Sequence, residues 1–300
     1  MAAKRQEKPR EKRRDGLSFL GRHGNIQQKF DKFQEVPCGP HAKTVHTFGA
    51  AQWHELYVRV WSQFRAHVSF AELFHRKSAY GTKRILSELG AELGVDATDV
   101  GDPALVSVMR GDPVRSLGAI ERILQAQGFT SFSYKVFPPH LGGDKLFAVL
   151  GMPGTSAVFV RRRFIDSYIS AQKARAVGSW TQENTTDLTV SLDYDDFSRW
   201  LGQRRGWFAA ARAHLEANGL PFGTLIYERD IDCPLEDHVA KAQGLFRQFG
   251  FDPAYDFAAA RPKHTKQDRS SDYGGKVRNW TEFCDRAKAA GGYERLFQTE

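Results

Sequence analysis

Four short apolar runs, at residues 44–48, 132–136, 157–161 and 223–228, are separated by longer stretches with helical periodicity. Strands that alternate with amphipathic helices restrict a chain more than its composition does. Each helix supplies the crossover that parallel pairing needs and covers one face of the sheet. Trp53, Leu56, Tyr57, Val60, Trp61 and Phe64 follow the i, i+3, i+4, i+7, i+8, i+11 series, opposite His54, Glu55, Arg59 and Gln63, which predicts a helix with one buried face. Asp112-Pro113 reads as an N-cap with proline at the first helical position, and Val114, Leu117, Ile120 and Leu124 carry its stripe to Gly128. Val239, Ala242, Phe246 and Phe249 form a similar stripe after the last strand, whereas residues 78–111 are less regular and read as a cap. The expectation is an α/β fold with a central, mainly parallel sheet flanked by helices and a ligand site at the carboxyl ends of its strands.

A chain of 300 residues, 41% hydrophobic and 12% aromatic, suits one such domain with additions. The boundary falls near Pro40, leaving 1–40 as a basic tail and arm and 41–300 as the domain. Residues 1–14 carry seven basic side chains against Glu7 and Glu11, which is +5 of the formal +8. The high pI therefore reports mainly a tail, read as solvated and disordered, and not a nucleic-acid-binding body. Cys38, Cys233 and Cys284 form no C-x-x-C pair and lie near no histidine at zinc spacing, which predicts a reducing compartment and no structural zinc. No apolar stretch follows the basic N-terminus, and none approaches about 18 residues. A soluble, cytoplasmic protein without a transmembrane segment is expected.

The segment richest in chemistry runs from Val158 through Arg161-Arg162-Arg163 and Ser170 to Ala174, Gly178 and Trp180. A strand ends in guanidinium groups where a helix begins, an arrangement suited to a phosphate. An arginine ending a strand with a serine eight positions later, as Arg162 and Ser170 are, resembles the 3′-phosphate-binding element of nucleotide-dependent sulfotransferases. The continuation to Trp180 is most similar to the bacterial branch that includes trehalose and nodulation-factor sulfotransferases. Tyr134-Lys135-Val136 resembles the lysine-bearing strand of that family and Leu225-Ile226-Tyr227-Glu228 its later strand ending in tyrosine and an acid. Arg261 to Trp280, with Lys266-Gln267-Asp268 and Gly274-Gly275-Lys276, resembles the basic loop that closes over the donor nucleotide.

The resemblance, over roughly residues 44–290, implies a P-loop-like three-layer fold. It also implies a donor co-substrate, 3′-phosphoadenosine 5′-phosphosulfate, and no metal. The phosphosulfate would lie at the first strand-turn-helix, Gly49-Ala50-Ala51-Gln52-Trp53, which lacks the cation and hydroxyls of the family pattern and offers main-chain amides instead. Arg162, Ser170, Lys266, Gly274, Gly275 and Lys276 would hold the nucleotide. Glu72, in Ser69-Phe70-Ala71-Glu72-Leu73-Phe74-His75, resembles the general base of the bacterial branch, its pKa raised toward neutrality by partial burial; His75 and His54 stand in reserve. The acceptor would be a carbohydrate, glycolipid or small alcohol, held by residues 65–111 and 180–206, with Trp180, Trp200 and Trp207 as sugar platforms. Two alternatives stand beside this one: a non-catalytic nucleotide-binding protein of the same fold, and nucleic-acid binding through the tail and Gly21-Arg22-His23-Gly24.

Overall fold

The computed structural model describes residues 43–49, 60–178, 185–258 and 272–299; in the first of these segments only the side chain of Thr44 is described. The basic tail, the Gly21–Gly24 tetrapeptide, Cys38, Ala50 to Trp53, His54, Trp180 and Lys266 lie outside these residues.

Five strands form one parallel sheet: β1 (Lys43–Gly49), β2 (His67–Ser69), β3 (Ser131–Val136), β4 (Thr155–Arg161) and β5 (Phe222–Ile226), in the order β2-β3-β1-β4-β5. Four were expected from their apolar runs. Every neighbouring pair is parallel, and β1 lies between β3 and β4 with Thr44 opposite both Phe132 and Thr155. The connection from β1 leads to one side of it and the connection from β3 returns to the other. The strand order therefore reverses beside β1, where Gly49 faces Val160.

Successive side chains of a strand point to opposite faces. Ala157 and Phe159 of β4 join one core cluster, while Val158 and Val160 join another. The sheet is thus apolar on both sides, as parallel sheets require. On the first side pack α1 (Leu86–Leu93), α2 (Pro103–Gly111), α3 (Pro113–Ala126) and α4 (Gly143–Leu150), whose buried residues include Leu89, Leu105, Leu117, Ile120 and Leu146. The second side holds Val60, Trp61 and Phe64, the described remainder of the expected first helical face, against Phe246. Further along the chain come α5 (Phe164–Val177), α6 (Tyr194–Ala217), α7 (Leu235–Gln248), a single turn α8 (Tyr273–Lys276) and α9 (Trp280–Ala289).

Helix starts follow their capping chemistry. Asp112 accepts the Arg115 N–H at 3.0 Å ahead of Pro113, and Asp102 does the same for Ala104 and Leu105 ahead of Pro103. Each such cap is worth about 1 kcal/mol. The stretch 78–111, expected to be less regular, contains two helices, α1 and the Asp102-capped α2, each with a buried stripe. No helix among the described residues is long and apolar enough to cross a membrane.

Candidate functional site

Because the strands are parallel, Gly49, Val136, Arg161 and Ile226 all reach the same edge of the sheet. The three arginines that end β4 are sorted there by their partners. Arg161 Nη2 donates to the Thr299 carbonyl at 3.4 Å. Arg163 is held by acids, with Nε 3.4 Å from Asp166 and 3.7 Å from Glu228, while its main-chain N–H donates to Glu228 Oε1 at 3.1 Å. Arg162 reaches further along the helix, donating from Nη1 to Ser170 Oγ at 3.2 Å, with its guanidinium 5.0 Å from the centre of the Tyr227 ring. Eight residues bring them together because Arg162 directly follows β4 and Ser170 sits about two turns into α5.

Burial lowers the pKa of Arg162, and the neighbouring Asp166, Tyr227, Glu228 and Tyr273 oppose that shift. The residue is a half-buried cation held in a fixed position, a state that favours charge-assisted hydrogen bonds to an oxyanion. Behind it, the strand β5 leads into one wide helical turn, Tyr227–Ile231. The buried Asp230 carboxylate accepts the Ile226 N–H at 2.8 Å and pairs with Arg229 at 2.7 Å. That turn fixes Tyr227 and Glu228 against the arginines.

Of the expected C-terminal loop, only 272 onward is described. Gly274 and Gly275 lie in α8, and their N–H groups donate to the Asp272 carboxylate at 3.0 and 2.9 Å. As they stand, these amides are engaged in capping. Lys276 is 9% exposed, with its ammonium 5.7 Å from the Tyr273 ring, and burial and Asp166 both raise the Tyr273 pKa. Tyr273, Lys276, Asp166 and Arg162 thus form one cluster.

A second group of side chains gathers beyond β3. The Phe70 N–H donates to the Ser133 carbonyl at 2.7 Å and the Lys135 N–H to the Ala71 carbonyl at 3.0 Å, so the chain leaving β2 runs along β3 and sets Glu72 beside Lys135. Gly81 closes the turn over this segment with φ +96°, and a Cβ there would lie 2.9 Å from the Ala71 nitrogen. Glu72 Oε2 is 3.3 Å from Nε2 of the buried His140. His140 Nδ1 accepts the Phe137 N–H at 3.3 Å, which leaves the ring proton on Nε2, directed at the carboxylate. Sequence reading had not singled out His140, whose setting in Phe137-Pro138-Pro139-His140 carries no pattern other than a turn.

Burial raises the Glu72 pKa, but the His140 hydrogen bond and the charge of Lys135 outweigh it and leave the pKa below its ordinary value. The expected upward shift is therefore corrected. Glu72 is an oriented carboxylate, ionised at neutral pH, and not a base tuned toward neutrality. The pKa of His75 is lowered by burial, and its Nδ1 accepts the Lys77 N–H at 3.3 Å. In that tautomer the other nitrogen carries a proton and can donate a hydrogen bond.

Neither the models of known protein families nor the curated proteins give a match to this chain.

Next to His140 opens a cavity of about 980 Å³, reached by residues 76–111 and 140–145. The 65–111 part of the expected acceptor region lines it. Trp200 and Trp207 do not: Trp200 packs on Tyr168 and Phe197, and Trp207 on Phe208. Among the described residues no cluster of three His, Cys, Asp or Glu side chains is placed to hold a metal ion.

Proposed function

We propose that this chain is a sulfotransferase that moves a sulfuryl group from 3′-phosphoadenosine 5′-phosphosulfate to a hydroxyl of a carbohydrate, glycolipid or small alcohol. The observation that carries the reading is the 3.2 Å contact between Arg162 and Ser170 at the edge where the strand order reverses. A half-buried guanidinium and a hydroxyl at that point suit a phosphate that is not part of a triphosphate chain. The fold we assign to it is the P-loop-like three-layer type. In support, β1 is central and leads into Gly49, with apolar clusters on both faces of the sheet.

In this reading Arg162 and Ser170 take the 3′-phosphate of the donor, and the main chain from Gly49 to Trp53 takes its phosphosulfate. Lys266, Gly274, Gly275 and Lys276 belong to the segment that covers the nucleotide. Glu72, held by His140 Nε2, receives the proton of the acceptor hydroxyl through its other oxygen. The acceptor oxygen forms a bond to sulfur as the bond from sulfur to the bridging phosphate oxygen breaks, and adenosine 3′,5′-bisphosphate leaves. Lys135 and Arg162 offer positive charge on either side of β1, where charge accumulates on the leaving phosphate.

The test is thermal unfolding of the full chain with adenosine 3′,5′-bisphosphate, AMP or ATP. Selective stabilisation by the bisphosphate is expected, growing with ligand concentration as binding linkage requires. Equal or absent shifts at saturating concentrations would remove the 3′-phosphate site and the reading with it. A non-catalytic nucleotide-binding protein is the second reading, favoured by the Gly49-Ala50-Ala51-Gln52 sequence. It predicts the same stabilisation without turnover of the sulfated donor.

A further inference from the structure

Two features of the 980 Å³ cavity bear on what it holds: its charge and its position. Arg76, Lys77, Arg110 and Lys145 line it against a single carboxylate, Asp144. Among the described residues none of the four cations makes an ion pair. Main-chain oxygens hold two of them instead: Arg110 donates to the His140 carbonyl at 3.3 and 3.4 Å, and Lys145 Nζ donates to the Arg110 carbonyl at 2.7 Å. Carbonyls fix the positions of the cations but do not cancel their charge. Like charges gathered around one concavity repel, and an oxyanion entering it would relieve that repulsion while making charge-assisted hydrogen bonds. The volume is of the size that small-molecule sites have.

Position then links the cavity to the chemistry. His140 lines it, and the same imidazole holds Glu72 at 3.3 Å. Glu72 does not line the cavity itself, and His140 stands between the two, so a molecule whose charged end rests among the four cations lies one side chain away from the candidate base. We propose that this cavity binds an acceptor carrying an oxyanionic group, such as a phosphate, sulfate or carboxylate, and that Arg76, Lys77, Arg110 and Lys145 select for it. The assignment of this molecule as the acceptor rests on the sulfotransferase reading; the anion site itself rests on the cavity alone.

The test uses the full chain with adenosine 3′,5′-bisphosphate present throughout, so that the Arg162 site is occupied. Glucose 6-phosphate and glucose serve as matched probes in calorimetric titrations. Glucose 6-phosphate should bind at least about tenfold more tightly than glucose, a difference of about 1.4 kcal/mol. The preference should weaken as salt is raised. Arg76→Glu/Lys77→Glu reverses two exposed charges outside the core, and Lys145→Glu reverses a third independently. Each should abolish the preference and leave bisphosphate affinity within about twofold of the unaltered chain, the order expected for a distant charge. Equal binding of the two sugars, or a preference that survives in both folded variants, would overturn the proposal. If the bisphosphate does not bind while the phosphate preference is present and lost in the variants, the sulfotransfer reading falls and the anion site stands.

Discussion

His67 offers a direct measure of how firmly the polar seam between β2 and β3 is built. The side chain is 3% exposed, with Nδ1 2.8 Å from Ser131 Oγ and Nε2 3.0 Å from Ser133 Oγ. Ser133 in turn donates to Ser69 at 3.0 Å, so its oxygen accepts from His67, which places the ring proton on Nε2 and leaves Nδ1 to accept from Ser131. Burial pushes the His67 pKa down to about 3 from an ordinary 6.5. The folded state thus keeps His67 neutral where the unfolded chain takes up a proton. Its contribution is complete above pH 6.5 and is lost as pH falls from there toward 3. Between pH 7 and pH 5 the unfolded state gains roughly 2 kcal/mol from this one group. His75, His214 and His238 also have lowered pKa values and add to the slope. The comparison is therefore urea unfolding of the unaltered chain and of His67→Gln at both pH values. Whatever stability the substitution itself costs, the variant should lose about 2 kcal/mol less over that interval. Parallel losses in the two proteins would show that His67 is not held neutral, and the proton assignments around Ser131 and Ser133 would fail with it.

Other outcomes follow from the two halves of the site. Arg162→Ala should weaken adenosine 3′,5′-bisphosphate binding by about 1.5–3 kcal/mol in calorimetry; unchanged affinity in a folded variant would refute the role of Arg162. Glu72→Gln should lower kcat by roughly 10²–10⁴-fold once an acceptor is in hand, with bisphosphate affinity nearly constant. His140→Ala removes the hydrogen bond that favours the ionised Glu72, so the acid limb of the kcat/KM profile should move to higher pH; a profile in the unaltered position would detach His140 from Glu72. Gly81→Ala should cost about 1–3 kcal/mol of stability, measured by urea unfolding, because it demands a positive φ of a residue with a Cβ and sets that Cβ against the Ala71 nitrogen.

The strands that could be read from the sequence were those whose burial matched their composition. In β4, Ala157 to Val160 are apolar and buried, and the arginines mark where the strand leaves the core. The strand β2 escaped because it is three residues long and begins with His67, which the serines of β3 make compatible with burial. For the same reason β3 alternates like a half-exposed strand although all six of its residues are buried. Its polar face meets His67 and Glu72, not water. The helix α2 did carry a signal, since Asp102-Pro103 repeats the cap-and-proline pair of Asp112-Pro113, whereas α1 starts after Ile85 without a side-chain cap. At the site, Arg162 and Ser170 were legible as a spacing within one strand-helix junction. The partnership of Glu72 with His140 joins residues 68 positions apart through the path of a loop, and no local pattern encodes it. The expected pKa shift of Glu72 failed on the same point, because burial was visible in the sequence and the proton donor was not.

The placement of β1 also bears on how the chain is made. The first of the described strands ends up in the middle of the sheet, and Thr44 is paired on one side only when Thr155 has been added. At about 5–20 residues per second, that is a wait of roughly 6–20 s on the ribosome. Through that interval β1 has at least one edge open, the state in which strands recruit unintended partners. Contacts of such long range also make for slow folding once the chain is complete. A nascent chain that stops before residue 155 lacks β4 altogether and leaves that edge of β1 unpaired, so the centre of the sheet closes only after more than half of the chain has been made.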